Sequence, residues 1–122
     1  MPGLSINDFG DSIRFGASSA VEDEPDLRKV RFVPKLYATY AKGFISSCGG
    51  SLTEEELRML PWGAILMTLE CGVRFLADYI EGDVYFHINR PDHNLLRART
   101  QFKLVRDMEE KLDWMTSTAL SF

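Results

Sequence analysis

The chain has 122 residues, 45% of them hydrophobic and 26% charged. This is ordinary globular usage over the length of one domain, too short for a complete TIM barrel or most two-lobed enzymes. Fourteen Lys+Arg against eighteen Asp+Glu leave a formal charge of −4. That balance offers no overall attraction to nucleic acid or to an anionic membrane, and neither is expected as a partner. Two cysteines, Cys48 and Cys71, are too few for a disulfide scaffold and read as free buried thiols of a cytoplasmic protein. The N-terminal run MPGLSINDFG has neither the basic nor the apolar region of a signal peptide. The most apolar stretch, Trp62 to Ile80, carries Glu70, Arg74 and Asp78, which argues against a bilayer span.

In chain order, Asn7 to Ser18 reads as a helix weakened by Gly10 and Gly16, with Asn7 or Asp8 as its N-cap. Residues 20–29 (AVEDEPDLRK) read as an exposed acidic loop. Pro34 suits a first helical turn. Leu36, Tyr37, Tyr40, Phe44 and Ile45 then mark an amphipathic helix over about 34–48 that ends at Gly49-Gly50. Thr53-x-x-Glu56 is a capping-box pattern for a short helix over Glu54 to Leu60. Pro61 then opens a separate helix, about 62–81, whose expected core stripe is Leu66, Leu69, Val73, Leu76 and Ile80. Val84-Tyr85-Phe86 falls in a loop. Pro91-Asp92 starts the longest helix, about 92–119, with Leu95, Phe102, Val105, Met108, Leu112 and Met115 on one face. Val30 to Val33 and Val84 to Ile88 are too short and isolated to make a sheet. The expectation is one all-α domain, 1–122, of about five helices.

Few constellations could carry chemistry. Asp8-Phe9-Gly10 matches a kinase magnesium tripeptide, but only seven residues precede it, too few for a glycine-rich or catalytic loop, and a helix cap followed by a core Phe is the better reading. Glu70, Arg74 and Asp78 recur every four residues on one helix. They make either a solvated salt-bridge ladder or a polar wall on which a guanidinium offers forked donors to a ligand. His87 and His93 lack partners at metal-ligand spacing. Arg90, Arg97, Arg99, Lys103 and Arg106 form a basic cluster that reads as a solvated face.

Three runs, MPGLSINDFGDSIRFGAS, GAILMTLECGVRFLADYIEGDVYF and RARTQFKLVRDMEEK, together resemble the C-terminal portion of the N-acetylhexosamine 1-kinase family. This family is an aminoglycoside-phosphotransferase-like group whose bacterial members are often labelled mucin desulfatases. The resemblance spans nearly the whole chain. It implies the helical subdomain of a C-lobe and a parent activity that phosphorylates the anomeric hydroxyl of N-acetylglucosamine or N-acetylgalactosamine with ATP and Mg2+. It also implies that the nucleotide lobe, the catalytic base and the metal ligands belong upstream of Met1. The 122 residues would then have no catalytic residue, cofactor or metal of their own. Phe15, Arg74, Tyr85 and Trp114 would line an amino-sugar pocket. Asp8 would be the structural Asp that caps a helix and braces the catalytic loop, while Glu70 and Asp78 would hold the Arg74 guanidinium.

Three hypotheses follow: an inactive sugar-side portion of such a kinase; a free-standing helical module that self-associates, as a homodimer or larger, through a surface left open; and a small enzyme using Glu70 and Asp78 as an acid/base pair.

Overall fold

A computed structural model describes residues 2–122, with side chains from Ile6 onward. The protein is all-α. Its helices are α1 (Pro2–Gly16), α2 (Pro34–Ser47), α3 (Glu54–Ile80), α4 (His93–Glu110) and α5 (Leu112–Ser121), with one 3-10 turn at Leu27–Lys29. Among the described residues the only β pairing is an isolated bridge between Ser18 and Phe32.

Among the described residues five helices are present, but two expected boundaries move. The capping box forms: the Thr53 hydroxyl accepts from the Glu56 amide at 3.1 Å, and the Glu56 carboxylate accepts from the Thr53 amide at 3.2 Å. The helix it starts does not stop at Pro61. It continues through the proline to Ile80. An interior proline loses a hydrogen bond and costs about 3 kcal/mol. Here Leu60, Pro61 and Ala64 are all buried, and that packing offsets the loss. Conversely, the helix expected over 92–119 is broken at Lys111, whose φ of −111° and ψ of 13° leave the helical region. Met108 and Met115 stay buried on either side, so the apolar pattern runs on in phase and hides the break.

α1 begins at Pro2, ahead of Asn7 and Asp8. Neither residue is a cap, because both lie inside the helix. Gly10 does not weaken α1 so much as let it pack. A Cβ on Gly63 would stand 2.5 Å from Ile6 Cγ2, and one on Gly10 would run into the Gly63 carbonyl. The two helices cross at a distance that only glycines allow.

This crossing also corrects the core of α3. Its buried face is Leu60, Ala64, Ile65, Thr68, Gly72 and Phe75, packed against α1, α4 and α5. The expected stripe lies outward: Leu66, Leu69, Val73 and Ile80 are exposed. Neighbouring helices approach where the side chains are small, so the larger apolar residues end on the far side. By length and composition α3 could cross a membrane, with a mean hydropathy of 1.3 in its most apolar window, of which 44% is buried within the fold.

α2 fits expectation best. It starts at Pro34 and ends before Gly49 and Gly50, whose φ values of 59° and 81° suit glycine. Tyr37 is its buried anchor, donating to the Met115 carbonyl at 3.0 Å and packed edge-on to Phe9. Leu36 and Tyr40, expected in the core, are exposed.

Candidate functional site

The best-organised polar centre sits where α3 ends. Gly82 and Asp83 both take positive φ, 99° and 60°, and turn the chain back across the helix. Asp and Gly are among the residues that adopt this conformation most readily. The returning loop is held by Asp78, which is only 3% exposed. Its carboxylate accepts from the Tyr85 amide at 2.8 Å, the Phe86 amide at 3.0 Å and the Asn94 side-chain amide at 2.7 Å. Asn94 also donates to Asp83 at 3.0 Å and accepts from Arg97 at 3.0 Å. Burial pushes the Asp78 carboxyl up, but the bonds from Phe86, Tyr85 and Asn94 outweigh it and hold the pKa below its ordinary value.

Asp78 therefore does not hold Arg74. Residues four apart on an α-helix are offset by about 40° around the axis, and residues eight apart by about 80°. Glu70 and Arg74 remain on the outer side while Asp78 has rotated into the core. Glu70 lies 3.9 Å from Arg74, both well exposed. An acid/base pair of Glu70 and Asp78 is excluded by the same geometry.

The loop that Asp78 fixes presents an aromatic surface. Phe86 packs on Phe75 with ring centroids 4.7 Å apart, and Tyr85 stands edge-on to Phe86 at 4.9 Å. Tyr85 is itself 79% exposed. Arg74 and Tyr85 line one cleft of about 280 Å³ together with Phe86 and Glu81. On its other side Arg74 borders a second cleft of about 380 Å³, faced by Asn7, Asp8 and Asp11 of α1. Asp8, expected as a structural cap, is thus an exposed residue of this wall. Among the described residues the Arg74 guanidinium makes no hydrogen bond, so its donors face open space.

The other two expected site residues lie apart from this cleft. Phe15 is 62% exposed, with the Arg14 guanidinium 4.0 Å from its ring centroid, and it lines a third cleft with Val21 and Glu22. Trp114 is on α5, 5.8 Å from the Tyr37 ring, among residues that do not border Arg74.

The acidic loop is not the free segment that its composition suggests. Glu22 binds Arg14 at 2.8 Å and lies 3.7 Å from Arg97. The Asp23 carboxylate meets His93 Nε2 at 2.7 Å and Arg90 at 3.4 Å. The Asn89 amide donates to His93 Nδ1, so Nε2 carries the proton shared with Asp23. Thr100 donates to the Glu22 carbonyl. Lys103 donates to the Val30 carbonyl at 3.0 Å and pairs with Asp107. The acids of residues 22–23 and the bases of residues 90–103 were each legible as charge runs. Their mutual pairing was not, since it needs the fold to bring α4 under the loop. Arg99 and Arg106 do remain exposed.

Arg14, only 8% exposed, joins this strap to α1 through Asp11, Glu22 and Gln101. Burial opposes its charge, but the bonds to Glu22 and Asp11 prevail and raise its pKa. Cys71 and Cys48 are half-buried free thiols, and burial pushes the Cys71 thiol up, away from the reactive thiolate. Among the described residues no three His, Cys, Asp or Glu side chains converge as a metal set.

The fold and site define a small helical domain with an arginine–aromatic cleft on one face. No protein-family model matches the chain.

Proposed function

We propose that this chain supplies the sugar-side wall of an N-acetylhexosamine 1-kinase-like phosphotransferase, of the kind labelled mucin desulfatase in some bacteria. One observation carries the reading: Arg74 of α3 and Tyr85 of the following loop line a single cleft, and the loop is fixed by a buried carboxylate. A sugar is recognised by an aromatic face beside a few convergent polar groups. Arg74 gives forked donors for ring hydroxyls, Tyr85 gives the face, and the nearby Asp8 and Asp11 give acceptors. Phe15 belongs to the adjoining cleft and extends the wall only through Arg14.

Phosphoryl transfer rests on positioning and charge stabilisation by metal ions and a base. In this reading the rest of such a kinase supplies them. The chain's share of the reaction is to bind and orient the acceptor sugar. ATP, Mg2+ and N-acetylglucosamine mixed with the 122-residue chain alone should give no sugar phosphate, and turnover above background would contradict this division of labour. Ligand-observed NMR with N-acetylglucosamine should show weak binding that Arg74→Ala abolishes and Glu70→Ala leaves in place. Equal binding by wild type and Arg74→Ala would remove Arg74 from the site.

A further inference from the structure

The chain has two histidines, and both act on one residue of the loop between α3 and α4. The exposed His87 ring meets the Asn89 side-chain carbonyl through Nε2 at 3.1 Å. The His93 ring, buried in the first turn of α4, accepts the Asn89 backbone amide on Nδ1 at 3.2 Å. A backbone N–H only donates, so Nδ1 carries no proton. The ring is thereby held in its Nε2–H form, with that proton directed at the Asp23 carboxylate 2.7 Å away.

Both ring nitrogens are committed, and only one of the two bonds survives protonation. An imidazolium carries a proton on each nitrogen and accepts nothing. At Nε2 the bond to Asp23 becomes charge-assisted on both sides and strengthens. At Nδ1 the new proton faces the Asn89 N–H, so donor meets donor and the bond is lost. The charged groups around the ring fall on both sides of this balance. Asp23, with Glu22 beside it on the strap, and Asp92, the preceding residue, favour the cation. Arg90, 3.4 Å from Asp23, and Arg97, one turn further along α4, oppose it. On the α3 side, Asp78 and Asp83 are occupied by Asn94.

We propose that His93 is an acid-released latch, whose protonation frees the Asn89 backbone from α4 while tightening the strap on Asp23. Histidine is the side chain suited to this, since its charge changes between about pH 5 and about pH 8. Release is confined to one end of the loop. Tyr85 and Phe86 are held by Asp78, whose carboxyl is kept below its ordinary range by those same bonds and stays ionised throughout. The His87 carbonyl is retained by Arg97 at 3.0 Å, so the freed segment begins after His87. The latch does not rest on the sugar reading, which needs only the Tyr85 end of the loop.

NMR of the 15N,13C-labelled 122-residue chain from about pH 8 to about pH 5 tests it. At the upper end the ring spectrum should place the His93 proton on Nε2. On acidification the Asn89 amide should shift with the same midpoint as the His93 ring. Its exchange protection, corrected for the intrinsic rate, should fall roughly tenfold, as expected for one neutral hydrogen bond. The Tyr85 and Phe86 amides should stay in place. His87→Asn should leave the Asn89 response intact, and His93→Asn, checked for helical content by circular dichroism, should abolish it. If His93→Asn fails to fold, the wild-type ring spectrum and His87→Asn still decide. A His93 proton on Nδ1 at the upper end, or a ring that stays neutral over the whole range, overturns the proposal. An Asn89 amide that ignores the His93 midpoint, loses its response in His87→Asn or keeps it in a folded His93→Asn overturns it too. Tyr85 and Phe86 amides that move together with Asn89 overturn the confinement to one end.

Discussion

Two carboxylates on α3, Glu70 and Asp78, stand in contrasting surroundings. Asp78 is buried and accepts from two backbone amides and one side-chain amide. Glu70 is exposed and sits at the edge of contact with Arg74. In sequence they look equivalent, since each stands four residues from Arg74. The contrast teaches that a ladder spaced at four drifts around the helix. Its far end can enter the core and become structural while its near end stays available to a ligand or a partner.

The sharpest way to break this comparison is Asp78→Ala. It strands three donors and releases the 83–86 loop, with an expected loss of about 3 kcal/mol in urea unfolding. A loss under about 1 kcal/mol would mean that Asp78 is not the anchor described. Acid titration probes the same bonds. The folded-state pKa of Asp78 is depressed below its ordinary value of 3.8. Its contribution is therefore complete above about pH 5 and falls away as pH drops through 3.8 toward the folded value. Asp78→Asn, already neutral, should show a shallower acid dependence than wild type by thermal melts between pH 5 and pH 2.

Next in size is the helix crossing. Gly63→Val would drive a side chain into Ile6, and overpacking of this kind should cost about 2–3 kcal/mol in the same unfolding assay. Smaller again is the strap. Glu22→Ala removes a partner of the nearly buried Arg14. It should cost about 1–2 kcal/mol and raise hydrogen exchange in the loop over residues 20–24. Smallest is Glu70→Ala, expected to change stability by less than about 0.5 kcal/mol because its ion pair with Arg74 is exposed and long. If Glu70→Ala and Asp78→Ala cost the same, the contrast between the two positions is wrong.

Much of the fold was legible in the sequence. Pro34, the glycine pair at 49–50 and the Thr53–Glu56 box each act locally, and each held. The misreadings share a cause: they concern what lies across from a helix. Pro61 breaks a helix by local rules, but tertiary burial on both sides keeps α3 continuous. The α3 pattern offers two faces, and the small residues of one, Ala64, Gly63 and Gly72, win the core because partners pack closer there. Asn94, the donor that joins Asp78 to Asp83, gave no signal at all, since one polar residue early in a helix has many uses. In the candidate site, Arg74 and Tyr85 were singled out and do share a cleft, whereas Trp114 lies elsewhere. The role of Asp78 as loop anchor rather than guanidinium partner was not legible, because Glu70 and Asp78 stand equally four residues from Arg74 and only tertiary packing decides which end enters the core.

The central claim is that the loop fixed by Asp78 and the guanidinium of Arg74 form a sugar-recognising wall. Titrating the 15N-labelled chain with N-acetylglucosamine and N-acetylgalactosamine tests it most directly. The account predicts saturable shifts at the Tyr85 and Phe86 amides and the Arg74 side chain, with the Trp114 indole unmoved. Shifts centred on Trp114, or none at Tyr85 and Phe86 at millimolar sugar, would contradict it.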